Sequence, residues 1–469
     1  MSRSDYSSVM ARKSEIVKRS TGIDFSKYDR SPISFDYDHM MSEVGYSIDE
    51  AVEIQKDTNV GNTPLVECRN ITRLVRTISE LGCGARIFIK DEAANPSGSF
   101  KDRRASLSVF HAKESGYEGV ISATSGNYGA AVASQANKYG LKCIIVQEVF
   151  DSKGIGQPEI LEKSRACEAY GAEVHQMSVG PELFYYFLLL LEETGYFNAS
   201  LYTPFSVAGI ETLGYEIANE IYELCSRFPD VVLVTHAGGG NVTGTARGLA
   251  KAGTKDTQVV AVSVDLRGLQ MASDGDFNKK SFTTGHTGFG IPFAIWPDRS
   301  DVPRNSARSL RFMDRYVLVS QGEVFYATEM LAQMEGLQRG PAGNTSLAAA
   351  IPIARQMPRN GIVVVQETEY TGAGKHPYSQ LTFARKNGIE VKRGDPSENV
   401  PGKKIVIPEH PRQMRMVEMD LGEIKKAYIK NAVSRNPGYE LRDFDIRFIA
   451  DDIKEEEEFV KEVLDKLEV

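Results

Sequence analysis

The chain has 469 residues, more than a single hydrophobic core usually serves, which predicts about two or three domains. The composition is 41% hydrophobic and 25% charged, as in globular proteins, so global disorder is excluded. The formal net charge of −8 argues against a nucleic-acid partner, because a polyphosphate backbone attracts cationic surfaces.

Targeting segments, membrane spans and metal ligands are not evident in the sequence. Residues 1–20 lack the apolar stretch of a secretory signal, and the longest apolar run covers residues 183–191. A membrane span takes about 20 such residues, so we expect a cytoplasmic protein with no membrane partner. The five cysteines are scattered without CxxC spacing, which predicts free thiols and no metal site.

The elements change in character along the chain. Residues 1–58 are polar and charged and predict an N-terminal helical arm. From Gly61 onward, short apolar runs alternate with helical patterns such as Asp102–Ser115 and Ala130–Tyr139, which predicts parallel sheets covered by helices. The predicted strands are Arg86–Lys90, Gly119–Ser122, Lys142–Gln147, Glu173–Gln176, Val231–Thr235, Val259–Val264 and Ile362–Gln366.

The C-terminal part of the chain begins with a segment of different composition. Residues 394–404, GDPSENVPGKK, are polar and contain Pro and Gly, which predicts a linker. A short strand, Lys404–Ile407, and charged helices follow. The tail has Ile453, Val460, Val463, Leu464 and Leu467 near helical spacing. We interpret it as a helix packed on the main body, and a contact with a partner subunit is the alternative.

A lysine opens the helix after one of the predicted strands. The segment KDEAANPSGSFKDRRA, Lys90–Ala105, has a strand, a turn containing Asn95, Pro96 and Gly98, and then Lys101. Pockets form at the carboxyl edge of parallel sheets, and lysine is the residue that forms an imine with an aldehyde cofactor. Lysines are more often solvated surface groups, so the junction alone does not decide the role of Lys101.

Two glycine-containing turns between strand and helix suit anions. ATSGNYGAAVA, residues 123–133, suits a carboxylate, and VVLVTHAGGGNVTGTARG, residues 231–248, suits a phosphate. The second turn is not a P-loop, because no Lys-Ser or Lys-Thr follows the glycines. It is not a GxGxxG dinucleotide motif either, since Thr243 stands where the third glycine would be. Either turn alone is also compatible with simple chain reversal.

In this order, these segments resemble the fold type II pyridoxal-phosphate enzymes, the group of threonine synthase and cysteine synthase. The resemblance covers about residues 61–375 and includes GNTPL (61–65) and PFSVAGIETLGYEI (204–217). It implies an α/β fold like that of the tryptophan synthase β subunit, with two parallel-sheet α/β domains and the cofactor between them. The predicted domains are an arm (1–58), a large cofactor-binding domain (59–100 with 205–391), a small α/β domain (101–204) and a C-terminal extension (392–469).

The resemblance also implies roles for individual residues. Lys101 would hold the aldehyde of pyridoxal 5'-phosphate and move protons at the α-carbon of the substrate. Asn127 would hydrogen-bond the ring oxygen of the cofactor. The substrate carboxylate would bind to Thr124, Ser125 and Gly126. The cofactor phosphate would bind to Gly238, Gly239, Gly240, Asn241 and Thr243.

The partner of the pyridine nitrogen has two candidates. The family uses a Ser or Thr in a TGxGxK-like segment, and TGAGK (371–375) fits, so we favour Thr371. Thr368 is the alternative if the turn after the strand is short. Glu367 and Glu369 flank this position, and a carboxylate at the nitrogen would contradict a hydroxyl partner. The Glu-Pro pair of the family reads Gly340-Pro341 here, so the role of that glutamate is not carried over.

Further segments resemble a narrower family, the β subunits of 2-amino-4-oxopentanoate thiolases. They are the arm, the Lys101 junction, GFGIPFAIWPDRSDVPR (288–304) and QETEYTGAGKHP (366–377). This resemblance implies cleavage of 2-amino-4-oxopentanoate with coenzyme A to acetyl-CoA and alanine in ornithine degradation. It also implies a small α subunit and a homodimer of this chain. The alternative is a threonine synthase-like or ammonia-lyase enzyme that eliminates or replaces a group at the β or γ carbon.

Overall fold

The structure is a computed structural model. It describes residues 4–124, 126–150, 154–156, 158–178, 180, 182–266, 291–298, 301–370 and 378–467. The strands are β1 (Leu65–Glu67), β2 (Arg86–Asp91), β3 (Gly119–Thr124), β4 (Lys142–Phe150), β5 (Glu173–Ser178), β6 (Phe197–Asn198), β7 (Val231–Thr235), β8 (Gln258–Val264), β9 (Arg315–Val319), β10 (Ile362–Glu367), β11 (Glu390–Arg393), β12 (Lys404–Ile407) and β13 (Val417–Glu418).

Helices cover both faces of the sheets that these strands build. They are α1 (Tyr6–Ala11), α2 (Lys13–Thr21), α3 (Tyr37–Val44), α4 (Ile48–Asp57), α5 (Arg69–Ile78), α6 (Lys101–Glu114), α7 (Asn127–Tyr139), α8 (Pro158–Ala169), α9 (Glu182–Thr194), α10 (Pro204–Cys225), α11 (Gly240–Lys251), α12 (Ile291–Ile295), α13 (Gln321–Glu335), α14 (Thr345–Gln356), α15 (Tyr378–Lys386), α16 (Leu421–Ser434), α17 (Asp443–Ile453) and α18 (Glu457–Lys466). None of the helices in the described part of the chain is long and apolar enough to cross a membrane.

The larger sheet has seven strands in the order β1-β2-β10-β7-β8-β9-β13. Its five inner strands are parallel, and the short edge strands β1 and β13 are antiparallel. The central strand β10, IVVVQE, is buried at all six positions because helices cover both faces. The inner strands therefore appear in the sequence as continuous apolar runs rather than as alternating patterns.

The smaller sheet has four parallel strands in the order β5-β4-β3-β6. All four lie between residues 119 and 198, inside the predicted small domain. The exact limits of the predicted domains stay predictions. The fold class is confirmed: two helix-covered parallel sheets, built from the strands that the apolar runs predicted.

Every predicted strand is present, with ends that differ by at most three residues. The strands that the sequence did not predict are β1, β6, β9, β11 and β13, which have two to five residues each. Strands β1, β6 and β13 are short edge strands with too few apolar positions to form a recognisable pattern, whereas β9 is an inner strand that the sequence analysis missed. Their positions follow from the longer strands on which they pair.

The N-terminal arm is part of the hydrophobic core. Its helices α1 and α2 pack against α9, and Val9, Ile16 and Val17 are buried there. Helix α4 begins with a capping box in which Ser47 and Glu50 satisfy each other's backbone N–H groups. The arm is helical as predicted, but its buried side chains hold it on the body of the protein.

The predicted linker has a different role from the one expected. Residues 394–403 connect β11 to β12, and these two strands pair in parallel, so the segment is a connection within one small sheet rather than a linker between domains. The tail packs on the main body as predicted, with Ile453, Val460 and Leu464 in the same cluster as Val232 of β7. It forms two helices rather than one, because Lys454 takes a left-handed conformation with φ 56° between them.

Two helices that shape the site approach each other closely. A Cβ added at Gly214 of α10 would lie 2.0 Å from the carbonyl oxygen of Thr245 in α11. Gly214, the second glycine in PFSVAGIETLGYEI, therefore lets α10 contact the backbone of α11. This contact fixes α11 and, with it, the glycine turn from which α11 starts.

Candidate functional site

A cavity of about 160 Å³ lies where the carboxyl ends of β3, β7 and β10 meet. The two parallel sheets thus both present strand-to-helix turns to one space, as is usual for ligand sites in α/β proteins. The residues that line it are Phe100, Lys101, Arg104, Thr124, Gly126, Asn127, Tyr128, Leu201, Tyr202, Thr235, Ala237, Gly238, Gly239, Gly240, Asn241, Ala342, Thr368 and Glu369.

Lys101 is the first residue of α6 and faces this cavity. Its Nζ lies 4.5 Å from the centre of the Phe100 ring. Burial lowers the pKa of Lys101 well below its usual value, and the Arg104 cation lowers it further against the opposing carboxylate of Glu369. A lysine with a depressed pKa keeps a larger neutral fraction near neutral pH, which a nucleophilic or basic amine needs.

The turn after β3 presents a helix N-terminus to the cavity. The Thr124 hydroxyl accepts hydrogen bonds from the backbone N–H groups of Gly126, at 3.0 Å, and Gly129, at 3.3 Å. Thr124 and Gly126 line the cavity. Ser125 lies outside the described residues. The geometry suits a carboxylate ligand, and the substrate contacts of this turn stay predictions.

Asn127 contacts an acidic side chain that the sequence left unassigned. Its Nδ2 donates a hydrogen bond to Oε2 of Glu369. Oε1 of Glu369 is buried and has no hydrogen-bond partner among the described residues. Asn127 and Glu369 both line the cavity, so a ligand that binds there meets this pair together.

The chain after β10 runs beside the residues that precede Lys101. The Phe100 N–H donates to the Thr368 carbonyl at 3.0 Å, and the Tyr370 N–H donates to the Gly98 carbonyl at 2.8 Å. These bonds bring Thr368 into the cavity lining. Thr371 lies outside the described residues, so the choice between the two threonines stays open.

The glycines of the turn after β7 are crowded by side chains. A Cβ added at Gly238 would lie 2.5 Å from Oη of Tyr202, and one at Gly239 would lie 3.0 Å from Oγ of Ser309. A Cβ at Gly240 would lie 2.5 Å from Nη2 of Arg104. Gly239 also has φ 87°, which favours glycine. A side chain at Gly238 or Gly240 would displace the end of the Tyr202 or Arg104 side chain, and one at Gly239 would also be strained by the backbone conformation.

The remaining predicted phosphate ligands separate into two kinds. Asn241 lines the cavity, and its Nδ2 donates to the Thr235 carbonyl at 3.4 Å. Thr243 is buried, donates its hydroxyl to the Gly239 carbonyl at 3.0 Å, and is not among the lining residues. Its hydroxyl holds the turn in this geometry, and its predicted contact to phosphate stays untested.

The donor set fits pyridoxal phosphate. A desolvated amine at Lys101 can bond an aldehyde, and the glycine turn at the N-terminus of α11 can bind a phosphate dianion in the same cavity. Within the described ranges, no group of three or more His, Cys, Asp or Glu side chains is arranged to hold a metal ion.

The lining residues that were not assigned from the sequence include Arg104, Tyr202 and Glu369. Arg104 follows Lys101 by three positions and shares its helix face, a spacing that could have indicated it. Tyr202 and Glu369 belong to segments that are distant in sequence from Lys101. They line the cavity because of tertiary packing, which a local sequence pattern does not predict.

A second carboxylate lies behind the cavity near the altered Gly340-Pro341 pair. A Cβ added at Gly343 would lie 1.8 Å from Oε1 of Glu367, so glycine leaves the room that this carboxyl group occupies. Burial raises the pKa of Glu367 well above its usual value, and the neighbouring charges of Glu369 and Asp91 raise it further against Arg339. Both effects favour the neutral form of Glu367.

Comparisons with known proteins agree with this geometry. Residues 56–368 match the family model described as "Pyridoxal-phosphate dependent enzyme". The chain is 63% identical over 464 residues to a 2-amino-4-ketopentanoate thiolase beta subunit from an unknown prokaryotic organism, covering 99% of this chain and 98% of that protein. It is 62% identical over 462 residues to the protein of the same name from Acetoanaerobium sticklandii, covering 98% of each. A solved pyridoxal 5'-phosphate-dependent aspartate racemase is similar in fold, with a TM-score of 0.56 and 20% identity over 71% of this chain and 97% of that one.

Proposed function

The chain belongs to the pyridoxal-phosphate-dependent enzymes, and from that premise we propose that it cleaves 2-amino-4-oxopentanoate with coenzyme A. The products would be acetyl-CoA and alanine. The observation that carries the proposal is the similarity to the two thiolase beta subunits through the arm and the C-terminal extension, outside the matched family region. Ketopentanoate in their names is the same compound as oxopentanoate.

The proposed reaction balances without an oxidant or reductant. The C3–C4 bond of the substrate breaks, the coenzyme A sulfur bonds to C4, and the thiol proton ends on C3, the methyl carbon of alanine. When bound, pyridoxal phosphate supplies an electron sink for negative charge at the carbons next to the amino group. The protein must therefore bind the substrate, exchange protons at its α-carbon and keep the cleaved bond aligned.

Lys101 would carry the proton transfers at the α-carbon. Its pKa is lowered by burial and by Arg104, so a larger fraction of the free amine would be neutral and able to accept a proton from the α-carbon. Thr124 and Gly126 would orient the substrate carboxylate, because the N-terminus of α7 lies beside them. Gly238, Gly239, Gly240 and Asn241 would hold the cofactor phosphate at the N-terminus of α11.

The attacking sulfur would come from coenzyme A rather than from the protein. Burial raises the pKa of Cys167 to about 12 and also raises the pKa of Cys68 and Cys143. None of the five cysteines is among the residues that line the cavity. Thiols in such surroundings are poor nucleophiles, so a thiol brought by the second substrate suits the site.

The proposal also includes a partner subunit, a metabolic role and a cellular location. The relatives are named beta subunits, which supports a small α subunit as partner. A homodimer of this chain, a role in ornithine degradation and a cytoplasmic location follow from the resemblance. The five free thiols fit a reducing compartment.

Product analysis tests the proposed reaction. Purified chain, with and without the candidate small subunit, is incubated with 2-amino-4-oxopentanoate and coenzyme A, and the products are quantified by mass spectrometry. Equal amounts of acetyl-CoA and alanine are expected, and the Lys101→Ala variant should form neither. Release of ammonia and a 2-oxo acid instead would contradict thiolysis and indicate a threonine synthase-like or ammonia-lyase elimination.

The assembly is tested separately from the chemistry. Size-exclusion chromatography with light scattering measures the mass of the chain alone and mixed with the small subunit. We expect a homodimer that gains mass when the small subunit is added. A monomer, or a mass unchanged by the addition, would contradict the proposed assembly while leaving the reaction to the product assay.

A further inference from the structure

Arg104 is a buried cation that no carboxylate neutralises among the described residues. Its side chain is 3% exposed, its Nε donates to the Ser206 hydroxyl at 2.9 Å, and its Nη2 donates to the Leu201 carbonyl. Both acceptors are neutral. Burying a charge without a counter-charge is costly, so a buried arginine in this state indicates a missing anion.

The guanidinium lies against the glycine turn. Nη2 and Nη1 of Arg104 would lie 2.5 Å and 3.0 Å from a Cβ added at Gly240, and Arg104 and Gly240 both line the cavity. Gly240 is the first residue of α11, a helix of 12 residues. The positive end of this helix and the cation of Arg104 thus face the same small volume.

The electrostatics of the cavity agree with a missing anion. Burial lowers the pKa of Arg104 to about 10, and the neighbouring Tyr128 and Tyr202 offset this lowering only in part. The same cation lowers the pKa of Lys101. A dianion at the glycine turn would relieve the cost of burying Arg104.

We propose that Arg104 is a direct ligand of the cofactor phosphate, forming a charge-assisted hydrogen bond to it beside the backbone N–H groups of residues 238–240. The phosphate site of this chain then has a cationic side chain in addition to the turn. The inference rests on the family cofactor and not on the thiolysis proposed above, so either can fail without the other. Arg104 would also couple phosphate binding to the pKa of Lys101, three residues earlier on α6.

The affinity of the apoenzyme for two aldehydes tests this contact. Pyridoxal 5'-phosphate and pyridoxal, which lacks the phosphate, are titrated into wild type and Arg104→Gln, with binding followed by absorbance. The glutamine keeps a hydrogen-bond donor and removes the charge. We expect the variant to bind pyridoxal 5'-phosphate about 10- to 100-fold more weakly and pyridoxal with nearly unchanged affinity.

Matched controls separate this contact from a structural role. Arg247→Gln removes an arginine from α11 that pairs with Glu211 at 2.6 Å and does not line the cavity, so both affinities should stay unchanged. An equal loss for both aldehydes in Arg104→Gln, or no loss for either, would overturn the proposal. In that case Arg104 would serve folding or another ligand.

A measurement on the wild type can still overturn the proposal if the variant does not fold. The ³¹P shift of the bound cofactor is followed between about pH 5 and pH 9. A phosphate in contact with a guanidinium stays dianionic below its free pKa near 6, so a flat shift supports the proposal. A shift that titrates near the free value would overturn it.

Discussion

Helix α6 carries buried cations on two sides, and the cation on one side has carboxylate partners that Arg104 on the other side lacks. On one side, Arg103 is fully buried and paired with Glu92 and Glu216, each at 2.7 Å. On the cavity side, Lys101 and Arg104 face neutral groups and a single carboxylate, Glu369. Adjacent arginines in KDRR thus belong to different kinds of environment.

The pKa directions express this difference. Burial lowers the pKa of Arg103, but Glu216 and Glu92 more than reverse the effect, so its pKa is raised overall. Arg104 has no such partners, and burial lowers its pKa. Removing a buried cation that has counter-charges leaves those charges uncompensated and destabilises the fold, whereas removing Arg104 leaves no carboxylate unpaired. Substitutions on the cavity side should therefore reduce cofactor binding, and substitutions on the paired side should reduce the free energy of unfolding.

The largest loss is expected at Lys101. Lys101→Ala should abolish the borohydride-reducible bond to the cofactor and the visible absorbance that comes with it, because the cavity has no second lysine among its described lining residues. Activity should fall by more than about 10³-fold, since both the covalent attachment and the base are lost.

Folding should survive that change, as circular dichroism can check. Lys113→Ala, at the exposed C-terminal end of the same helix, is the control and should keep the absorbance. A reducible cofactor bond in Lys101→Ala would mean that another lysine holds the cofactor.

Arg103→Leu tests the paired side of α6. It leaves the buried carboxylate of Glu92 without its cation and leaves Glu216 with Lys90 as its remaining cation, which should cost about 3–5 kcal/mol of unfolding free energy in the apoenzyme. Denaturant unfolding measures it. Arg104→Gln should cost less, because no carboxylate loses a partner. An equal loss in the two variants would remove the distinction between the sides.

Gly239→Asp tests the glycine turn opposite Arg104. A carboxylate there repels the phosphate and crowds Oγ of Ser309, so cofactor affinity should fall by about 10²-fold or more. Gly239→Asn has a similar shape and also tolerates the left-handed conformation of φ 87°, but it adds no charge. A cofactor titration in which Asp and Asn lose the same affinity would show that crowding, not charge, decides binding at this turn.

The sequence predicted the features of the fold and the site that depend on neighbouring residues in the chain. Long buried strands such as β7 and β10 appear as apolar runs, and Lys101 and the two turns stand at strand-to-helix junctions that the chain itself defines. The family resemblance then predicted that pyridoxal phosphate binds at these junctions, and the matched family model supports this cofactor.

The parts that depend on contacts between distant segments could not be predicted. Glu369 reaches Asn127 because the chain after β10 pairs with the residues before Lys101, through the bond from Phe100 to Thr368. Which of two consecutive arginines is paired depends on what packs on each face of α6. Short strands such as β11 were missed for the same reason, since they exist by pairing with a partner.

The smallest expected effect concerns Glu367, the carboxyl group behind the cavity. An unfolded glutamate titrates near about pH 4.3. The folded pKa of Glu367 is raised by burial and by Glu369 and Asp91. Between these two values the unfolded chain loses a proton that the folded chain keeps, so stability falls as pH rises through this window and stays reduced above the folded pKa.

Glu367→Gln removes this dependence because glutamine is neutral in both states. The apoenzyme variant should unfold at the same temperature as wild type near pH 4.5 and about 1–2 °C higher near pH 8.5, measured by differential scanning calorimetry. The exposed Glu409→Gln is the control and should follow wild type at both pH values. A variant that differs from wild type by the same amount at both would show that Glu367 contributes through packing against Gly343 rather than through its ionisation.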